Sequence, residues 1–328
     1  MDIFNKKPYL IANIGVNFMA VSQKEEISQM DAVKLMIDEA KSCGVDAVMF
    51  QLEYLGSNCQ HDDFGVEEYR ILADYCKGVG IDFMATPFDL DSADYLDDLI
   101  DVYKISSSDL TNIPFIKYVA SKNKPILLFT GASTLKEIKD AVNAIEDVST
   151  VDIAIIHSVL SYPTDYRDAN LLMIKDLAQH FPDYEIGYAD HCIADENMSV
   201  LTTAYNYGAT ILEKYFTLDK TLSGNDHCHS MDCDDVNKFR NNLNFSYTIN
   251  GFINKQPLIC EAFARKEFRK SIVAKKDIKK GDVISQDNID FKRPGSGISP
   301  GQMDEIIGKT ANRYLAEGTL IDFEMLDD

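Results

Sequence analysis

The sequence predicts an α/β fold: a TIM (β/α)8 barrel followed by a small β-rich module. Three observations predict it. Eight short apolar runs alternate with stretches of helical periodicity between Tyr9 and Asn250. Nearly every run ends in polar side chains, as the catalytic end of a parallel barrel does. Beyond residue 268 the chain changes character, to short strands broken by glycine and lysine. An open doubly wound sheet would call for a nucleotide-binding glycine pattern, and neither GxGxxG nor a P-loop is present.

The predicted strands are Tyr9–Gly15, Val45–Gln51, Ile81–Thr86, Val102–Ser106, Pro125–Thr130, Val151–His157, Glu185–Ala189 and Ala209–Lys214. Between them, Gln29–Ser42 carries Met30, Val33, Ile37 and Ala40 on one face, and Gly44 stops it. Tyr69–Lys77 ends at Gly80, and Ser92–Leu99 follows Pro87. Ile113–Ser121 has Pro114 in its first turn. Thr134, three residues before Glu137, opens Thr134–Ile145 as a capping box. Leu171–His180, Asn197–Tyr207 and Asp235–Asn250 complete the helices. The expected domains are a barrel over 1–252, a linker over 253–268 and the small module over 269–328, near the lower size limit for independent stability.

Composition excludes several classes. A net charge of −21 leaves no basic footprint for nucleic acid. No apolar run reaches membrane-spanning length, and the N-terminal residues lack a signal-peptide pattern. Seven scattered cysteines (Cys43, Cys59, Cys76, Cys192, Cys228, Cys233 and Cys260) fit reduced thiols and a cytoplasmic location. Lys275, Lys276, Lys279 and Lys280 form a local basic strip, read either as a solvated loop or as a lid over an anionic site.

The strand ends gather Asn13, Gln51, Thr86, Lys104, Ser107, Asp109, Thr130, Ser133, His157, Asp190, His191, Glu213 and Tyr215. The Asp190–His191 pair in GYADHC is an acid/base or metal-binding unit at the seventh strand end, against the plain alternative of a helix cap beside a surface histidine. Strand alternation places Glu213 and Lys214 on opposite faces.

The blocks ATPFD (85–89), YKISSSDL (103–110), TGAS (130–133), SYPT (161–164), GYADH (187–191), ILEKYFTLD (211–219) and SGNDHCHSM (223–231) occur in one order. With KSIVAKKDIKKGDVIS and KRPG further on, the chain resembles the sialic acid synthase family over nearly its whole length. The resemblance implies a TIM barrel with a SAF (antifreeze-like) domain and a domain-swapped homodimer. It implies condensation of phosphoenolpyruvate with an N-acylated amino sugar, giving a nonulosonic acid and phosphate. A divalent ion, manganese or magnesium, would assist by polarising the sugar aldehyde.

The same resemblance implies roles for particular residues. Gln51, Thr86, Lys104, Ser107 and Thr134 would bind phosphoenolpyruvate, Tyr162 would be a further substrate-binding residue, and Arg293 would reach the partner copy's site and contact the sugar's N-acyl group. Asp109, Asp190 and Glu213 would be the catalytic carboxylates and His191 a metal ligand. Several positions depart from the pattern. Asn13 stands where a glutamate is usual, Phe18 for a histidine, Met49 for a phosphate-binding lysine and Leu160 for an asparagine. Tyr215 replaces the second metal-binding histidine, and neutral tyrosine is a poor ligand for manganese. His227, His229, Cys192, Cys228 and Cys233 are candidates for a rebuilt soft-metal site, or an ordinary polar loop with incidental thiols. Two functions stay open: a synthase with altered site residues, or a catalytically altered relative that binds a sugar or uses another acceptor.

Overall fold

The computed structural model describes residue 1 and residues 3–5, 7–52 and 64–328; Cys59 lies outside the described residues. The strands are β1 (Tyr9–Asn13), β2 (Ala47–Leu52), β3 (Asp82–Pro87), β4 (Tyr103–Ile105), β5 (Ile126–Phe129), β6 (Ile153–Ser158), β7 (Glu185–Asp190) and β8 (Ile211–Tyr215). They pair in the order β3-β2-β1-β8-β7-β6-β5-β4, and β3 and β4, at the two ends of that order, pack together. The paired neighbours run parallel, as an eight-stranded α/β barrel requires.

The helices are α1 (Phe18–Glu25), α2 (Gln29–Ser42), α3 (Val66–Val79), α4 (Leu90–Asp97), α5 (Ile113–Ala120), α6 (Leu135–Glu146), α7 (Leu172–His180), α8 (Ser199–Asn206) and α9 (Cys233–Asn250). Local chemistry sets their starts. The Ser28 hydroxyl accepts from Asp31 N to begin α2. Asp89 and Ser92 form a capping box for α4, and Thr134 and Glu137 form the expected one for α6. Helix α1 is an addition to the sequence expectation. It begins at Asn17 without a side-chain cap and buries only Phe18 and Val21, so it carries little local signal.

Period-two alternation divides the strand side chains into two layers. Tyr9, Ile11, Ala47, Met49, Met84, Leu127, Phe129, Ile156, Ala189 and Ile211 fill the barrel interior. Leu10, Val48, Phe83, Leu128, Ile155, Tyr188 and Leu212 face the helices. This division decides which strand-end polar groups reach the barrel mouth.

A second compact unit spans Gly251–Asp328, the first being Met1–Asn250. It opens with a 3-10 turn at Ile259–Glu261 and helix α10 (Ala262–Glu267). Strand β9 (Ser271–Ala274) pairs antiparallel with β10 (Ile289–Lys292), and β11 (Thr310–Ala311) with β12 (Leu326–Asp327). Its own core gathers Ile272, Ile278, Ile284, Ile298, Ile306, Leu315 and Ile321.

Candidate active site

The inward strand ends converge on Lys104 and Glu213. The Lys104 ammonium lies 3.0 and 3.1 Å from the two Glu213 carboxylate oxygens. Asn13 Nδ2 donates to Glu213 Oε1 at 2.8 Å. Lys104 Nζ also touches Met49 Sδ at 3.4 Å and sits 4.0 Å from the centroid of the Phe129 ring. Gln51, Thr86, Ser107, Leu160, Tyr162, His191 and Tyr215 line the same cleft.

The hydroxyl groups at its edge are linked. Gly131 N donates to Ser107 Oγ at 3.0 Å, and Ser107 and Ser158 share a hydrogen bond of 3.2 Å. Thr86 Oγ1 and Asn13 Oδ1 are buried with no partner among the described residues. Buried polar atoms are ordinarily paired, so this is where a polar ligand fits.

His191 follows β7 and turns back to the mouth. Its Nδ1 donates to the Val159 carbonyl at 2.7 Å. Burial lowers its pKa, so the ring is neutral and Nε2 presents a lone pair. The Tyr162 ring packs on it with centroids 4.4 Å apart. Burial raises the pKa of Tyr215, keeping its phenol protonated, and Gln51 Nε2 donates to that oxygen at 3.3 Å.

The other expected residues lie elsewhere. Asp190, expected as a catalytic carboxylate, faces the helix layer with Tyr188. It pairs with Lys214 at 2.7 Å, and its Oδ1 accepts from Cys192 N and Tyr188 Oη. The register is the reason: Ala189 pairs with Glu213 and Asp190 with Lys214, so Asp190 shares the outward face of Lys214. His157 also points outward, bonded through Nε2 to the Ala169 carbonyl and stacked on Tyr188. Asp109 ends the 3-10 turn Ser107–Asp109, within 3.4 Å of Ser108 Oγ and Asn112 Nδ2 and away from the cleft lining. The Thr134 hydroxyl is engaged by Glu137 in the α6 cap. Arg293 belongs to the second unit, where Nε donates to the Phe268 carbonyl.

The side chains present do not fit a protein-held divalent ion. His191 offers one nitrogen, and beside it stand the neutral phenol of Tyr215 and His229, whose Nε2 lies 3.4 Å from Asp226 Oδ1. Both Glu213 oxygens are occupied by Lys104, and Asp190 faces the other way. Among the described residues no three of His, Cys, Asp and Glu are grouped to hold a metal. The candidate soft site is likewise not assembled: Cys228 is exposed, Cys192 faces the helices, and Cys233 neighbours Ser42.

Residues 53–255 match the NeuB family, and residues 269–327 match the SAF domain. The chain belongs to the NeuB family. It is similar to an uncharacterized protein of Methanocaldococcus jannaschii, 35% identical across 95% of this chain and 93% of that one. It is also similar to the N,N'-diacetyllegionaminic acid synthase of Legionella pneumophila, at 30% identity over 97% of this chain and 94% of that one. Among solved structures it is similar to the spore coat polysaccharide biosynthesis protein SpsE of Bacillus subtilis. That likeness has 27% identity, covers 100% of this chain and 99% of the other, and gives a TM-score of 0.66. Within this NeuB-family barrel, Lys104–Glu213 is the charged centre of the mouth. The Asn13–Glu213 bond, Ser158 and the outward Lys214–Asp190 pair were not expected from motifs. Period-two counting along β6, β7 and β8 is the signal that locates the last two.

Proposed function

We propose that this NeuB-family protein condenses phosphoenolpyruvate with an N-acylated amino sugar, releasing a nonulosonic acid and phosphate. The observation that carries this reading is the buried Lys104–Glu213 pair at the barrel mouth, bordered by Thr86, Ser107, Gln51 and His191 in one cleft. Lys104 and the hydroxyls bind the anionic donor, with Lys104 moving from Glu213 to the incoming carboxylate or phosphate. Glu213, thus released, is the general base for water addition. Tyr162 packs against the sugar. Asp190 holds the turn that aims His191.

We further propose a homodimer in the cytoplasm, with Arg293 of one copy reaching the sugar in the other. Phe252, Ile253 and Ile259 support it: they are 83%, 100% and 96% exposed, an apolar run that a second copy would cover. Among the described residues no helix is long and apolar enough to cross a membrane. The six cysteines among the described residues are free thiols, which fits a reducing compartment.

A second reading, a catalytically altered relative that binds a sugar or uses another acceptor, has its own observation. Asn13 and Met49 are register partners, so a charged pair is absent from two facing positions together. Lys104 is then the one lysine or arginine among the described residues lining the cleft, and Glu213 already neutralises it.

The deciding experiment incubates purified protein with phosphoenolpyruvate and N-acylated mannosamines or diacetamido sugars, following phosphate and 2-keto acid. Release of both in equal amounts is expected. No release with any acceptor, together with saturable sugar binding, establishes the second reading.

A further inference from the structure

A condensation at this cleft needs a group that draws electron density to the carbonyl oxygen of the acceptor. The side chains do not fit a protein-held metal ion, so the donor must come from the chain itself. In the condensation reading Lys104 and the Thr86 and Ser107 hydroxyls serve the anionic donor, the Gln51 amide is held by Tyr215, His191 presents a lone pair rather than a proton, and Tyr162 is half exposed at the cleft. Tyr215 remains.

Its geometry suits the task. Tyr215 ends β8 on the inward face, lines the cleft and is 7% exposed. Its oxygen accepts from Gln51, and its own proton has no acceptor among the described residues. The ring is fixed from several sides. His229 meets it edge-on with centroids 5.1 Å apart, and Tyr162 does so at 6.4 Å. Gly15, at φ +51°, leaves the space beneath it: a Cβ there would lie 3.3 Å from Tyr215 Cε1. A fixed, already oriented donor stabilises a developing oxyanion without reorganising during reaction. The unpartnered Thr86 Oγ1 and Asn13 Oδ1 mark the same interior as built for a polar ligand.

We propose that the Tyr215 phenol does here what a divalent ion would otherwise do, donating its proton to the acceptor carbonyl, and that turnover needs no protein-held metal. This rests on the condensation reading. In the step, the phosphoenolpyruvate methylene carbon bonds to the aldehyde carbon, and the carbonyl π pair moves to oxygen and takes the Tyr215 proton. Water adds at C2. Glu213 takes one of its protons and passes it to the tyrosinate, the C2–O bond to phosphate breaks as the ketone forms, and the second proton leaves with phosphate.

The test compares the chelator-stripped wild-type protein, Tyr215→Phe and Tyr215→His, with two readouts. The first is phosphate release with and without Mn2+. The expected result is wild-type turnover unchanged by stripping. Tyr215→Phe loses on the order of 100-fold in kcat, the scale of one oxyanion donor, with KM for phosphoenolpyruvate unchanged. The second readout is the electron paramagnetic resonance signal of free Mn2+ titrated with protein. Wild type leaves it undiminished, and Tyr215→His depletes it. If Tyr215→Phe misfolds, the stripped wild-type turnover and the Mn2+ titration still decide, because metal dependence in either overturns the proposal. Wild-type activity lost on stripping and restored by Mn2+ overturns the proposal, as does one tight Mn2+ per wild-type chain. Full activity in Tyr215→Phe overturns it too. No turnover by any of the proteins overturns the condensation reading and the donor role with it, while the Mn2+ titration still decides whether the mouth holds an ion.

Discussion

Two buried lysine–carboxylate pairs sit on opposite sides of the same barrel wall, and consecutive residues of β8 build them. Glu213 points inward to Lys104, and Lys214 points outward to Asp190. The inner pair lines a cleft bordered by hydroxyl groups and by two unpartnered polar atoms. The outer pair is closed: Lys214 also donates to the Cys192 carbonyl at 2.6 Å, and Asp190 also accepts from Cys192 N and Tyr188 Oη. One pair is left open to a ligand. The other ties the turn after β7 to β8 and so fixes where His191 stands.

The sharpest way to break that distinction is to remove each lysine in turn. Lys214→Met leaves the buried Asp190 carboxylate without its cation, at a cost of about 3–5 kcal/mol in unfolding free energy. Urea denaturation measures it, and the Cm should fall with the slope unchanged. Lys104→Met should lose less stability, because a cleft leads water to Glu213. Its main effect is on the anionic donor: loss of a charge-assisted hydrogen bond weakens phosphoenolpyruvate binding by about 1.5–3 kcal/mol, tenfold or more. Equal stability losses in the two variants, with unchanged phosphoenolpyruvate affinity in Lys104→Met, would show that both pairs are structural.

The barrel and the strand-end positions of Lys104 and Glu213 were legible because period-two alternation and strand-end polarity are local signals. The strand segments lie within about two residues of the expected ones, the ordinary uncertainty of element ends. Asp190 was misplaced because its motif outweighed the alternation. The rule that separates Glu213 from Lys214 also sends Asp190 outward with Tyr188. Thr134 shows one hydroxyl with two readings, and the capping box from the same residues occupies it. The packing of His229 on Tyr215 joins a loop to a strand end, and the Gly15 cradle joins β1 to β8. Neither has a sequence period to announce it, since both depend on how the barrel brings distant segments together.

The smallest expected effect tests whether the inner pair was shaped by a matched exchange. Asn13 and Met49 face each other in register, with Asn13 bonded to Glu213 and Met49 touching Lys104. Met49→Lys alone sets a second ammonium beside Lys104, and Asn13→Glu alone sets a second carboxylate beside Glu213. Each like-charge placement destabilises the fold. Together the new charges compensate each other, so the double variant should lose less than the two singles combined, with a coupling of about 1–2 kcal/mol in urea unfolding. Additivity within about 0.5 kcal/mol would mean two unrelated losses rather than one matched exchange. Coupling together with tighter phosphoenolpyruvate binding in the double variant would place the inner pair one charge pair away from a stronger anion site. Coupling without tighter binding would mean that the cleft, as Lys104 and Glu213 now hold it, serves a less charged ligand.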